Sequence, residues 1–141
     1  MTLVAGIRRF RASFPASPME VARVRRLIAA HLRSCGLDEV VDGVVLATDE
    51  LLANAVQHGS TSQDDTVTVS VDCETQRLRI AVSDSSPSLP FIPSQREAGS
   101  LDEGGRGLAI VDQLCDGWGA EATPDGAGKQ VWCTVHVNDA S

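Results

Sequence analysis

Asp49-Glu50-Leu51-Leu52-Ala53-Asn54-Ala55-Val56-Gln57-His58-Gly59 sets an acid and an amide four residues apart inside an otherwise apolar helical pattern. At about 100° per residue, Val41, Val44, Val45, Thr48, Leu52, Ala55 and Val56 gather on one face, and Glu50, Asn54 and Gln57 fall together on the opposite one. The residues beside those three polar groups, Gly43, Ala47 and Ala53, are small or apolar. A helix face turned to solvent carries charges. Short neighbours around Glu50 and Asn54 predict instead that something packs there and is met by one carboxylate and one neutral oxygen ligand. Taken alone, a Glu-x-x-x-Asn pair also fits a partly exposed, hydrogen-bonded polar face.

A second stretch bears on the choice. Gly104-Gly105-Arg106-Gly107 runs straight into Leu108-Ala109-Ile110-Val111-Asp112-Gln113-Leu114, in which Leu108, Val111 and Leu114 recur at three-residue steps as on a helix. Glycines expose backbone N–H groups at close range, and a helix N-terminus offers partial positive charge, so the junction suits a phosphate. By itself the glycine cluster also fits a flexible loop ahead of a helix.

In this order and spacing, the two stretches resemble the ATP-binding domain shared by gyrase, Hsp90, histidine kinases and MutL, the Bergerat fold. The chain is similar above all to its small stand-alone members, the bacterial anti-sigma factors that are also serine protein kinases of partner-switching systems. The likeness extends from about Phe10 to Val137, within a single domain over 1–141. It implies an α+β, two-layer α/β sandwich with helices on one face of a mixed, mainly antiparallel sheet. It also implies ATP and Mg²⁺ as cofactors. In that family the helix acid, here Glu50, acts as general base or orients the attacking oxygen, and the helix amide, here Asn54, holds Mg²⁺. Asp84, ending the apolar strand Leu78 to Val82, matches the aspartate that accepts a hydrogen bond from the adenine amino group. Gly105 and Gly107 match the glycines that approach the phosphates, with Arg106 and Leu108 beside them. Arg106 fits equally a charge near the terminal phosphate, a lid latch or a solvated arginine. The implied partners are a sigma factor and an anti-sigma-factor antagonist protein phosphorylated on serine or threonine, and the implied assembly is a homodimer.

The residue types suit that chemistry without the likeness. Mg²⁺ prefers oxygen, keeps several waters and takes only one or two protein ligands, so one asparagine plus phosphate oxygens suffices. Phosphoryl transfer asks mainly for positioning and charge neutralisation, and Glu50 is placed to align an incoming hydroxyl. One departure reshapes the expected base pocket. Where the family often has Asp-x-Gly-x-Gly, this chain reads Asp84-Ser85-Ser86-Pro87-Ser88, without either glycine. Proline fixes φ and removes an N–H, and serine does not reach glycine's conformations cheaply. A degenerate, non-catalytic regulatory binding module of the same fold is therefore the alternative, and an ATP hydrolase using water as acceptor is a third reading.

Composition excludes other classes. A chain of 141 residues with 43% hydrophobic content can bury a core without disulfides or a structural metal. No apolar stretch reaches the roughly 18 residues of a membrane span, and Arg8, Arg9 and Arg11 follow rather than precede the short apolar start. A cytoplasmic protein is expected. The net charge of −7 argues against direct nucleic-acid binding. Seven arginines and the single acid Glu20 lie at or before Arg33, whereas five basic and eighteen acidic residues follow. This basic first element fits an acidic partner, a second subunit, or simply the wet faces of a strand and helix.

Cys35, Cys73, Cys115 and Cys133 are widely spaced with no Cys-x-x-Cys, and so read as buried free thiols rather than a zinc site or disulfide framework. His31, His58 and His136 lack partners at ligand spacing. His31 is not the phosphoacceptor of a complete histidine kinase, since only one such helix precedes the ATP-binding pattern and no acidic neighbour follows it. Gly126-Ala127-Gly128-Lys129 is not a P-loop, because Thr123 holds the earlier glycine position and a strand follows.

The expected element order begins with a strand from Ile7 to Phe14, a turn from Pro15 to Pro18 and a helix from about Met19 to Ser34, closed by Gly36, with Val21, Val24, Ile28 and Leu32 inward. The Glu-Asn helix spans about Asp38 to Gln57, and Gly59 to Asp65 is a polar turn. Strands Thr66 to Cys73 and Arg77 to Val82 form an antiparallel pair. Ser85 to Glu103 is a long loop suited to a nucleotide lid. A helix from Gly107 to Cys115 precedes strands near Trp118 to Ala122 and Gln130 to Val137, joined by a turn at Pro124 to Gly128.

Overall fold

Thr66–Cys73 alternates buried and part-exposed residues along its length, and Arg77–Asp84 does so except at the buried Ala81, the period of a sheet with one covered face. The structure, a computed structural model, describes residues 2–4, 7–58, 65–74, 76–85, 111–124, 126 and 128–137. Its strands are β1 (Thr2–Val4), β2 (Ile7–Pro15), β3 (Thr66–Cys73), β4 (Arg77–Asp84), β5 (Gly117–Ala122) and β6 (Lys129–His136). They form one sheet in the order β1-β2-β3-β4-β6-β5. The sheet expected to be mixed and mainly antiparallel is antiparallel at all five described pairings. The three-residue β1 is too short to carry a periodic signal and was not foreseen.

Two helices cover one face, α1 (Pro18–Ser34) and α2 (Val41–His58). Proline opens α1, where its missing N–H costs nothing, and Gly36 at φ 77° ends the turn that follows. The chain then makes a 3₁₀ turn over Asp38–Val40 where the sequence predicts α-helix, so α2 starts three residues late. Residues 111–114 are also helical. Val24, Ile28 and Leu32 of α1 and Leu51 and Leu52 of α2 are completely buried, together with Val67, Val69, Val71, Leu78 and Ile80 of the sheet. These side chains form one core between helices and sheet. Each large aliphatic so buried contributes about 1.5–3 kcal/mol.

The outer face is polar and half-exposed. Arg9 pairs with Asp72 at 2.8 Å and Ser13 with Thr68 at 2.8 Å. Arg79 lies over Trp132, 5.6 Å from the ring centroid. Trp132 is flanked by Ala81 on β4 and Gly119 on β5. A Cβ at Gly119 would stand 2.9 Å from the Trp132 ring, so glycine makes room for the indole.

The core face of α2 is rotated from its expected position. Leu51 and Ala47 are fully buried, while Val45 and Val56 are only partly so. α2 is wedged between α1 on one side and β3, β4 and β6 on the other. A helix with neighbours on two sides buries an arc wider than the single stripe that periodicity selects.

Candidate functional site

The wider arc brings Asn54 inside. Asn54 lies along the same helical ridge as the buried Ala47 and Leu51, and only 8% of it remains exposed. Among the described residues its amide Nδ2 has no hydrogen-bond partner. A buried amide left without a partner costs about 1–3 kcal/mol. Such a group calls for a partner outside the described residues, whether protein, water or ligand. Rotation of the amide about χ2 exchanges Oδ1 with Nδ2 in the same place, so the position suits an oxygen ligand as well as a donor. Glu50, one turn earlier, is half-buried on the adjoining edge of α2. Residues four apart on a helix sit about 5–6 Å apart at Cβ. The acid and amide therefore share one edge as the sequence predicts, but that edge is continuous with the core rather than opposite to it.

The surrounding turns hold the edge in place. Thr48 Oγ1 donates to the Val44 carbonyl at 2.7 Å, which keeps this hydroxyl within the helix. Asp49 pairs with Arg25 of α1 at 2.9 Å. Both partners are substantially exposed, so the pair contributes at most about 1 kcal/mol and serves chiefly to fix the approach of the helices.

Asp84 is the last residue of β4, on the helix-facing side set by Leu78, Ile80 and Val82. Because β6 runs antiparallel beside β4, its first residue, Lys129, is the register partner of Asp84. Lys129 Nζ lies 2.7 Å from Asp84 Oδ2, with side-chain exposures of only 2% and 1%. The contact is ionic rather than an aligned hydrogen bond. Gly128 closes the corner, since a Cβ there would stand 2.0 Å from the Asp84 carbonyl oxygen. The sequence points to Asp84 but not to Lys129. The signal was the Gly128-Lys129 start of β6, whose position opposite Asp84 depends on a pairing between strands far apart in sequence.

Among the candidates, Glu50 and Asn54 share α2, which packs against β4, the strand that ends at Asp84. Gly105, Arg106, Gly107 and Leu108 lie outside the described residues, as do the Ser86-Pro87-Ser88 departure and most of the expected lid. Immediately after them, Val111 is fully buried in the core. Trp118 Nε1 donates to Asp112 Oδ1 at 2.9 Å, tying the helical residues 111–114 to β5. No helix among the described residues is long and apolar enough to cross a membrane.

The model of the histidine kinase-like ATPase domain matches residues 14–135. The serine-protein kinase RsbW of Bacillus licheniformis is 30% identical over 114 residues, covering 72% of this chain and 71% of the relative. Among solved structures, the RsbU and RsbW domains of a Mycobacterium tuberculosis protein align over 94% of this chain with a TM-score of 0.65 and 18% identity. The histidine kinase domain of a blue-light activated histidine kinase from Erythrobacter litoralis aligns over 82% with a TM-score of 0.50 and 20% identity. This chain spans 32% and 60% of those two chains, and at such identities the likeness concerns the fold. The two-layer α+β architecture expected from sequence is thus the one found.

Proposed function

Because the chain belongs to the histidine kinase-like ATPase domain family, we propose that it is an ATP-binding anti-sigma factor and serine/threonine protein kinase. It holds a sigma factor inactive and phosphorylates an anti-sigma-factor antagonist protein. The observation that carries this reading is the α2 edge, where a buried amide without a partner among the described residues stands one turn from a half-buried carboxylate. The similarity to a protein named as a serine-protein kinase supplies the choice of acceptor.

The donor set fits a hard cation. Asn54 offers one neutral oxygen, and the remaining positions of Mg²⁺ would be filled by phosphate oxygens and water. When bound, the ion supplies charge neutralisation for the transferring phosphoryl group. Asn54 would hold that ion from a buried, well-packed helix. Glu50 accepts the hydrogen of the incoming serine hydroxyl and directs its oxygen in line with the leaving group. Lys129 fixes the carboxylate of Asp84, whose role is to accept the adenine amino group. Gly105, Arg106, Gly107 and Leu108 complete the reading as phosphate contacts. A sigma factor and its antagonist bind as protein partners of a homodimer in the cytoplasm.

Incubation with ATP labelled at the γ-phosphate and a panel of antagonist proteins tests the reading. Transfer to a serine by the native chain, absent in Glu50→Gln although ATP still binds, is the expected result. Full transfer by the variant would refute the role of Glu50.

One observation favours a second reading, a non-catalytic binding module. The Asp84 carboxylate is already engaged by a buried lysine, and serines and proline stand where glycines would open the base pocket. This reading predicts partner binding indifferent to ATP and to Asn54→Ala.

A further inference from the structure

His31 and Cys35, on the last turn and cap of α1, meet Cys73 at the end of β3. The sequence reading found no partner for any histidine, but His31 and Cys35 are one helical turn apart and the fold adds a third group. His31 Nε2 lies 3.8 Å from Cys35 Sγ and 3.6 Å from Cys73 Sγ. All three candidate ligand atoms lie within 4.8 Å of one another. Zinc bonds of about 2.3 Å to sulfur and 2.0–2.1 Å to nitrogen, arranged tetrahedrally, require N···S edges of about 3.6 Å and S···S edges of about 3.8 Å. The two observed N···S distances already lie close to that edge.

Weak hydrogen bonds also link the three groups. One ring nitrogen of His31 is engaged by the main chain of Arg8, and both thiols converge on the same Nε2. An imidazole nitrogen accepts one hydrogen, so one thiol donates to Nε2 and the Cys73 thiol also meets the Cys35 sulfur, all of them weak sulfur contacts. A cation would satisfy all three groups at once. The bond to the Arg8 main chain is the outer support that fixes the ring of a metal-ligating histidine. Arg8 is also the register partner of Cys73, and its Nη1 donates to the Ser34 carbonyl at 3.0 Å. The corner is therefore braced from α1, β2 and β3.

We propose that His31, Cys35 and Cys73 form a site for Zn²⁺, with one nitrogen and two thiolate ligands and a fourth position open to water beside the half-buried Cys35. Two sulfurs and an imidazole select a thiophilic cation over Mg²⁺ or Ca²⁺. Such a site would staple the end of α1 to the end of β3, and it is independent of the nucleotide reading. Cys115 and Cys133 form the other thiol contact in the protein. No histidine, aspartate or glutamate among the described residues joins them in a cluster of ligand spacing.

The test is titration of the full, reduced, chelator-stripped chain with Co²⁺ and then Zn²⁺. One Co²⁺ per chain is expected, with tetrahedral visible bands and thiolate charge-transfer absorption, both bleached by one equivalent of Zn²⁺. Cys35→Ser, at a half-buried helix cap, should lower affinity about 100-fold or more, the upper end of what even outer partners cost. Cys115→Ser should change nothing. His31→Gln, with circular dichroism on every variant, serves as the second ligand variant should Cys35→Ser misfold. Absence of an absorbing complex in the native chain at excess Co²⁺ would overturn the proposal. Retention of the thiolate bands in folded Cys35→Ser or His31→Gln, or their loss in Cys115→Ser, would overturn it equally.

Discussion

Replacing Lys129 by methionine removes the buried cation 2.7 Å from Asp84 Oδ2 while keeping the stem that fills the corner. The ion pair spans 2.7 Å with both side chains at most 2% exposed. Solvent therefore cannot screen the charge left behind. Removing one member of a buried pair costs about 3–5 kcal/mol. With a urea dependence of about 2 kcal/mol/M for a domain of this size, the unfolding midpoint should fall by about 1.5–2.5 M. The double variant Lys129→Met with Asp84→Asn removes both charges and should recover most of that loss, since replacing a buried pair by neutral groups is often close to neutral. Urea unfolding followed by tryptophan fluorescence gives all four corners of the cycle, and a coupling energy of about 2–3 kcal/mol is expected. A single Lys129→Met variant within about 0.5 kcal/mol of the native chain would behave like a surface substitution. That result would refute the buried pair. The double variant also isolates the role of Asp84, because it keeps the fold while deleting the carboxylate, and its ATP affinity should be weaker than that of the native chain.

Glu50→Gln should reduce phosphoryl transfer by about 10²–10⁴-fold, the usual contribution of a positioned general base, with ATP affinity retained in the same preparation by calorimetry. Gly128→Ala forces a Cβ to within 2.0 Å of the Asp84 carbonyl oxygen. It should cost about 1–3 kcal/mol or more by urea unfolding, whereas Gly43→Ala, with nothing within 4 Å, should be neutral or stabilising. Leu51→Ala, fully buried on the rotated face of α2, should cost about 2–5 kcal/mol. Val45→Ala should cost distinctly less, and equal losses at the two sites would contradict the observed helix orientation.

Much of this architecture was legible because its signals are local. The alternation of Val67, Val69 and Val71, the period of Val24, Ile28 and Leu32, and the Gly36 stop each depend on residues a few positions apart. The Glu50–Asn54 pair was readable for the same reason. What escaped depends on contacts between distant segments. Leu51 and Asn54 are drawn into the core because α1 and the sheet press on α2 from two sides, which a single-stripe pattern does not reveal. Lys129 meets Asp84 only through the β4–β6 register. His31 and Cys35 carry helical spacing, but Cys73 reaches them from a strand 42 residues from His31 in sequence.

The claim that α2 carries a metal-dependent nucleotide site stands or falls on Asn54. Calorimetric titration of ATP into the native chain with and without Mg²⁺, and into Asn54→Ala, tests it most directly. Mg²⁺-dependent binding by the native chain, lost in a folded Asn54→Ala, is the expected result. No heat of binding at millimolar ATP, or equal Mg²⁺-dependent affinity in the two proteins, would contradict it.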